Sequence, residues 1–381
     1  MAKKKKTEET DDTTVDTEVS IKGIDDQLKE KFGDGILVTG SYITSTTQTI
    51  IPISPRLDLL TNGGIPFGSF VIPTGPPKVG KTSTSLDIAG TALGIPTKFE
   101  TPRHLYYFKV EGRLQPRDLM GIHQLKQYIS DDPSINRVTV VQSKFGRILH
   151  AEDFLDIAEQ LINEKPGSIF IVDSMSQLCS KSRRAKDWQE DKAFRDDVPT
   201  MLSNFCKRIC QVLPINESLF IGITHKIANT GFGFNPWAEA SGNKVQYAVD
   251  VKLNAPFNQP WMLPGEKSIT RLGLEVNWEC FAAPLQNGQN ITKSVSKFRF
   301  GWGIDKHDEL LDISVDLGII TRKGSWYHII GDDGNKIAVQ GAPSAREALI
   351  ANPIGTIKAY TKFREMLEFP TIPEGYISVC L

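Results

Sequence analysis

One segment constrains this chain more than any other: Gly75-Pro76-Pro77-Lys78-Val79-Gly80-Lys81-Thr82. It fits the pattern G-x-x-x-x-G-K-[ST], follows an apolar run at 69–73 and opens a helical pattern at 82–93. Strand, glycine-rich turn and helix in that order form a phosphate cradle. The glycines let backbone N–H groups converge at a helix N-terminus, where the helix dipole favours anions. The pattern predicts a nucleotide site made by Gly75, Pro76, Pro77, Lys78, Val79, Gly80, Lys81, Thr82 and Ser83. Lys81 would carry positive charge to the β and γ phosphates, and the Thr82 hydroxyl would ligate Mg²⁺. A chance glycine-rich turn is the competing reading, and the flanking strand and helix argue against it.

A cradle of this kind belongs to an α/β fold, and the surrounding pattern agrees. Apolar runs at 69–73, 105–110, 138–141, 169–172 and 219–224 read as buried strands, with helical patterns such as 151–163 and 198–213 between them. That alternation predicts a mostly parallel sheet with helices on both faces. Strands near 245–253, 270–279 and 295–300 follow without clear helices, which predicts an antiparallel extension. A P-loop ATPase core at 50–310 and an α+β domain at 311–381, with a last helix near 356–368, complete the expected layout. Residues 1–20 read as a disordered tail. They hold the lysine cluster Lys3 to Lys6, then Glu8, Glu9, Asp11, Asp12, Asp16 and Glu18 among threonines. In the unit at 21–49, Ile21, Ile24, Leu28 and Phe32 recur at helical spacing. Gly33 to Gly35 would end that helix, and 36–38 read as a short strand. So small a unit must pack on a core or on a neighbouring subunit.

Hydrophobic content of 40% and a formal charge of -1 suit a soluble globular chain and do not exclude nucleic acid, since a local basic strip suffices. No apolar run is long enough for a membrane span and no secretory signal is visible. The five cysteines contain no C-x-x-C pair and read as reduced cytosolic thiols. The expected location is cytoplasmic.

Two carboxylates complete the nucleotide site. Asp173 ends the buried run at 168–173, where strand C-termini face the ligand crevice of an open α/β sheet, so it is the second candidate for Mg²⁺. Glu111 ends the strand at 104–110 and precedes a turn at the same edge. It could orient water against the γ-phosphate, or it could be an ordinary surface glutamate.

These residues resemble the RecA recombinase family in its diverged phage-type (UvsX-like) form. Pro52 to Leu60, Gly63 to Gly68 and the P-loop are similar to the family's run into its ATP site. Tyr107 to Pro116 resembles the segment carrying the catalytic glutamate, and Asp173 to Leu178 the Walker B segment. Gly301 to Asp305, Leu310 to Asp312, Leu317 to Ile320, Gly324 to Tyr327, Lys336 to Gly341 and Ala345 to Leu367 resemble the end of the core and the C-terminal domain. The similarity covers nearly everything after residue 21. It implies an ATPase of RecA-like fold that forms a helical filament on single-stranded DNA, with ATP between subunits and the unit at 21–49 packed on the adjacent protomer. It implies pairing of the bound strand with homologous double-stranded DNA, and Glu111 as catalytic base. Single-strand-binding and loader proteins are candidate partners.

Two segments suit DNA. Residues 180–200 open with Lys181, Arg183, Arg184 and Lys186, and Lys207 lies on the helical pattern that follows. Residues 227–244 place Phe232, Phe234 and Trp237 among glycines and end in Gly242, Asn243 and Lys244, a composition for base stacking. A solvated charged loop and aromatics tucked into protein are the alternatives. The resemblance implies that these are the family's two DNA-binding loops. His225 ends the strand at 219–224 just before the second loop. There it could touch the γ-phosphate while its backbone runs on into that loop, although a lone histidine is more often structural.

The chain departs from the family in places. Bacterial relatives have lysines before the match to Ala282-Ala283-Pro284 that reach ATP across the interface. Trp278 and Cys280 stand there instead, with Lys293 and Lys297 as candidate replacements. The adenine-stacking aromatic expected near Asp118 and the long acidic C-terminal tail are missing, and loss of the tail implies a lifted brake on duplex binding. A RecA-fold ring motor, and a nucleotide-gated DNA-coating protein with little hydrolysis, remain competing readings.

Overall fold

In a computed structural model, the described residues are 17–185, 197–228, 237–239, 245–263, 269–288, 291–373, 375–377 and 381. The expected tail over 1–16, Lys186, Phe232, Phe234, Gly242, Asn243 and Lys244 lie outside them.

The chain packs as two units, residues 1–48 and 49–381. The first holds a helix, Thr17–Phe32, which reaches into the stretch expected as tail. Gly33 and Gly35 both have positive φ, 97° and 87°, and end it as anticipated. Residues 36–38 form no strand; a bend leads instead to the helix Gly40–Ser45, capped by the Thr39 hydroxyl. Three β-branched or apolar residues between glycines looked like a strand, but among the described residues no strand pairs with them. Ile24, Phe32, Ile36, Leu37, Val38, Tyr42 and Ile43 are all exposed.

The second unit is built on a 12-stranded sheet. From one edge run Val138–Val141, Leu105–Lys109, Ile169–Asp173, Leu219–Gly222, Phe70–Gly75 and Val251–Asn254, all parallel. Arg271–Ala282, Lys293–Arg299 and Gly303–Ile304 then extend it antiparallel. Residues 245–248 are a 3-10 turn, so the strand expected from 245 begins only at Val251.

Side chains alternate between the sheet's two faces, as strand geometry demands. Ile169 and Ile171 join Val71, Leu219 and Ile221 against Leu86, Ala89 and Leu93 of the helix Lys81–Gly94. Phe170 and Val172 join Phe70 and Phe220 on the other face, against the helices Ala151–Glu164 and Val198–Ile215. Both faces are therefore covered, which is why these strands read as continuous apolar runs.

The C-terminal part comprises the helix Lys306–Asp316, a three-stranded sheet (Thr321–Lys323, Trp326–Ile330, Lys336–Gln340) and the helices Ala342–Ala351 and Pro353–Met366. Buried polar ties fix it to the core. Asp58, in the helix Pro55–Thr61, accepts from Tyr360 Oη at 2.8 Å and Arg364 Nη1 at 3.1 Å. Lys306 Nζ lies 3.5 Å from the Asp87 carboxylate on the P-loop helix. Among the described residues, no helix is long and apolar enough to cross a membrane.

Candidate nucleotide site and adjoining loops

The strand Phe70–Gly75 delivers the chain into the P-loop, and the helix Lys81–Gly94 leads it away. Gly75 and Gly80 have φ of 150° and 109°, conformations that disfavour a side chain. A Cβ on Gly75 would also collide with the Ala255 carbonyl. The loop curls so that Lys81 Nζ donates to its own carbonyls, Gly75 O at 2.9 Å and Pro76 O at 2.7 Å. Burial lowers the Lys81 ammonium to about 8, against the opposing pull of Asp173 and Glu111.

Parallel pairing sets the carboxylates. Leu105–Lys109 lies beside Ile169–Asp173 with Lys109 opposite Asp173. The Asp173 carbonyl accepts from Val110 N and Glu111 N, both at 3.0 Å, so the turn carrying Glu111 is stitched to the turn carrying Asp173. Asp173 Oδ2 accepts from Thr82 Oγ1 at 2.8 Å and from Tyr107 Oη at 2.6 Å. Burial raises the Asp173 carboxyl, and the Tyr107 and Thr82 hydrogen bonds oppose that. Glu111 Oε1 accepts from Ser174 Oγ at 2.7 Å and lies 2.5 Å from His225 Nε2. The His225 hydrogen bond, with help from Ser174, holds the Glu111 carboxyl down at about 2, so it is ionised at neutral pH.

One cleft of about 370 Å³ is lined by Lys81, Thr82, Ser83, Glu111, Asp173 and His225, with Pro77 to Gly80 along its rim. The donor set fits a magnesium nucleotide: a hydroxyl and a carboxylate oxygen side by side, an ammonium, and a turn of N–H groups at a helix start. Thr82 and Asp173 would hold the metal, which would neutralise phosphate charge.

His225 sits at a junction. Its backbone pairs with Gly75 of the P-loop, and its N–H donates to Ser176 Oγ at 2.9 Å. Its strand, Thr224–Ala228, then pairs antiparallel with Trp237–Glu239, Ala228 opposite Trp237. This hairpin brackets the segment expected to bind DNA. His225 Nδ1 is buried without a hydrogen-bond partner among the described residues.

The other expected DNA residues divide. Lys181, Arg183 and Arg184 form the short helix Lys181–Arg184 after the Asp173 strand, and Lys181 Nζ pairs with Asp153 at 2.9 Å. Lys207 is exposed on Val198–Ile215. Trp278 and Cys280 are buried in the core. Lys293 pairs with Glu279 at 2.9 Å, while Lys297 is held by Asp308 at 2.6 Å and Asp312 at 3.0 Å. Lys297, offered from sequence as a replacement cation, thus has its charge engaged within its own chain. Tyr107 and Ser174 were not singled out from sequence as site residues, yet they orient Asp173 and Glu111.

Residues 308–368 match the RecA C-terminal domain. The chain is 24% identical over 344 residues to Protein RecA of Aquifex pyrophilus, covering 89% of each chain. It is 24% identical over 331 residues to Protein RecA of Aquifex aeolicus, covering 86% of each.

Proposed function

We propose that this chain is a phage-type recombinase of the RecA family. It binds ATP and Mg²⁺, forms helical filaments on single-stranded DNA, hydrolyses ATP faster when DNA is bound, and pairs the bound strand with homologous duplex. The observation that carries this reading is the His225 junction. A single side chain touches the candidate base Glu111, and its own strand pairs with Trp237–Glu239.

In the reaction, Lys81 and the P-loop N–H groups would hold the phosphates, Thr82 and Asp173 would hold the metal, and Glu111 would orient the attacking water and take its proton. His225 Nε2 lies within hydrogen-bond reach of the Glu111 carboxylate. A γ-phosphate offers His225 a competing partner, so ATP frees the carboxylate and shifts the hairpin in one movement. The exposed apolar residues of the first unit, among them Phe32, Leu37 and Ile43, supply the surface for a second copy of the chain.

His225→Ala is therefore expected to uncouple the two ligands. ATP turnover without DNA persists, while its stimulation by single-stranded DNA is lost. Phosphate release measured with and without an oligothymidylate checks this; stimulation equal to that of the unaltered chain refutes the role.

A second reading is a nucleotide-gated coating protein with little turnover. It is favoured by the burial of Trp278 and Cys280 and by the carboxylate pairing of Lys293 and Lys297. DNA-independent, near-zero phosphate release by the unaltered chain would select it.

A further inference from the structure

The sheet's edge strand, Val138–Val141, runs parallel to Leu105–Lys109, which runs parallel to Ile169–Asp173. The segments that follow Val141 and Asp173 therefore leave the same edge of the sheet. After Val141 the chain makes a tight turn. Lys144 N donates to Arg147 O at 3.0 Å and Arg147 N to Lys144 O at 2.9 Å, leaving Phe145 and Gly146 at the tip. Gly146 takes the positive φ, 77°, that the third position of a type II turn requires. Leu149 N donates to Ser143 Oγ at 2.9 Å and closes the base.

Nothing in this turn calls for an aromatic residue at its tip. Phe145 is nevertheless there, with a relative exposure of 106%. It forgoes the burial that makes a phenyl ring favourable in a folded chain. Its flanks are cationic, Lys144 and Arg147, both exposed, and residues 143–149 contain no carboxylate.

The turn also has a telling neighbour. The helix Ala151–Glu164 begins just after it, and Ala151 N donates to Cys179 O at 2.9 Å. The carboxylates of Glu152 and Asp153 then grip Lys181, through its N–H at 3.2 Å and its ammonium at 2.9 Å. These contacts tie the root of the turn to the basic helix Lys181–Arg184.

We propose that the 143–148 turn is a further single-stranded DNA contact, with Phe145 stacked on a base and Lys144 and Arg147 on the flanking phosphates. An aromatic plane between cations is the arrangement that takes any base without regard to sequence. The inference rests on the recombinase reading and adds to it an element outside the two loops recognised from sequence. A second copy of this chain is the other possible occupant, and it is disfavoured by the two cations, Lys144 and Arg147, that border Phe145 without a carboxylate between them.

The test uses the full chain with ATP and a fluorescent oligothymidylate. Phe145→Ala is expected to weaken binding ~5- to 150-fold, the range for loss of one stacked base, and Phe145→Trp to restore it. Replacing Lys144 and Arg147 by alanine should flatten the salt dependence of log affinity by about 0.7 per cation. Wild-type affinity in Phe145→Ala overturns this inference alone. So does a loss of affinity accompanied, in sedimentation without DNA, by loss of self-association, which would assign the turn to protein–protein contact. Failure of the unaltered chain to bind the oligomer overturns both this inference and the recombinase reading.

Discussion

Glu111→Gln should lower ATP turnover by ~10²- to 10⁴-fold while leaving nucleotide binding in place, the loss expected when a positioned general base is removed. Glu111 is not among the groups that would hold phosphate or metal: those are Lys81, the P-loop amides, Thr82 and Asp173. Glutamine keeps the shape and can still meet Ser174 and His225, so the nearby backbone has no reason to move. What disappears is an acceptor that stays ionised at neutral pH. With His225 and Ser174 hydrogen-bonded to it, that carboxyl is held at about 2. Single-turnover phosphate release, set beside equilibrium binding of a fluorescent nucleotide, separates the two effects. Turnover within threefold of the unaltered chain would remove Glu111 from the chemistry.

Arg364→Met should destabilise the chain by ~3–5 kcal/mol, the usual cost of leaving a buried charge without its partner. Asp58 is 0% exposed, and Arg364 Nη1 lies 3.1 Å from it. The other terminal nitrogen, Nη2, donates to Gly63 O at 2.8 Å and Pro370 O at 2.9 Å, so one guanidinium joins the helix Pro55–Thr61, the loop after it and the C-terminal helix. Methionine fills much of the volume and supplies none of these donors. Burial already raises the Asp58 carboxyl, opposed chiefly by Arg364. In the variant, a folded-state pKa raised further above the unfolded value makes the deficit largest at neutral pH, and it narrows as acid protonates Asp58. Urea unfolding at pH 7 and pH 5 reads both effects. Adding Asp58→Asn should recover part of the loss, because the unpaired charge is then gone. Unfolding midpoints that match the unaltered chain would show that the tie contributes nothing.

The parts of the site that were legible in the sequence are those written in contiguous residues. The segment 75–82 carries its own context, and apolar runs ending in Asp173 and Glu111 announce strand C-termini. What escaped depends on register between distant strands. Tyr107 reaches Asp173 only because Leu105–Lys109 pairs with Ile169–Asp173. Nothing in the local pattern distinguishes Tyr107 from Tyr106, which faces the other side of the sheet. The Asp58–Arg364 tie spans 306 positions and has no sequence signature. The failed strand at 36–38 shows the converse limit: a short apolar run has strand propensity, but pairing needs a partner that no local window contains. Phe145 was passed over because a single aromatic between cations reads as an ordinary surface turn until its full exposure and its link to Lys181–Arg184 are visible.

As a recombinase, this chain should hold DNA under the control of bound nucleotide. The most direct measurement is the affinity of the purified chain for an oligothymidylate at one fixed salt concentration, with ATP and Mg²⁺, with ADP and Mg²⁺, and with no nucleotide. The His225 junction predicts tight binding with ATP and binding at least tenfold weaker in the other two states, a coupling of about 1.4 kcal/mol or more. Equal affinity in all three states would contradict it.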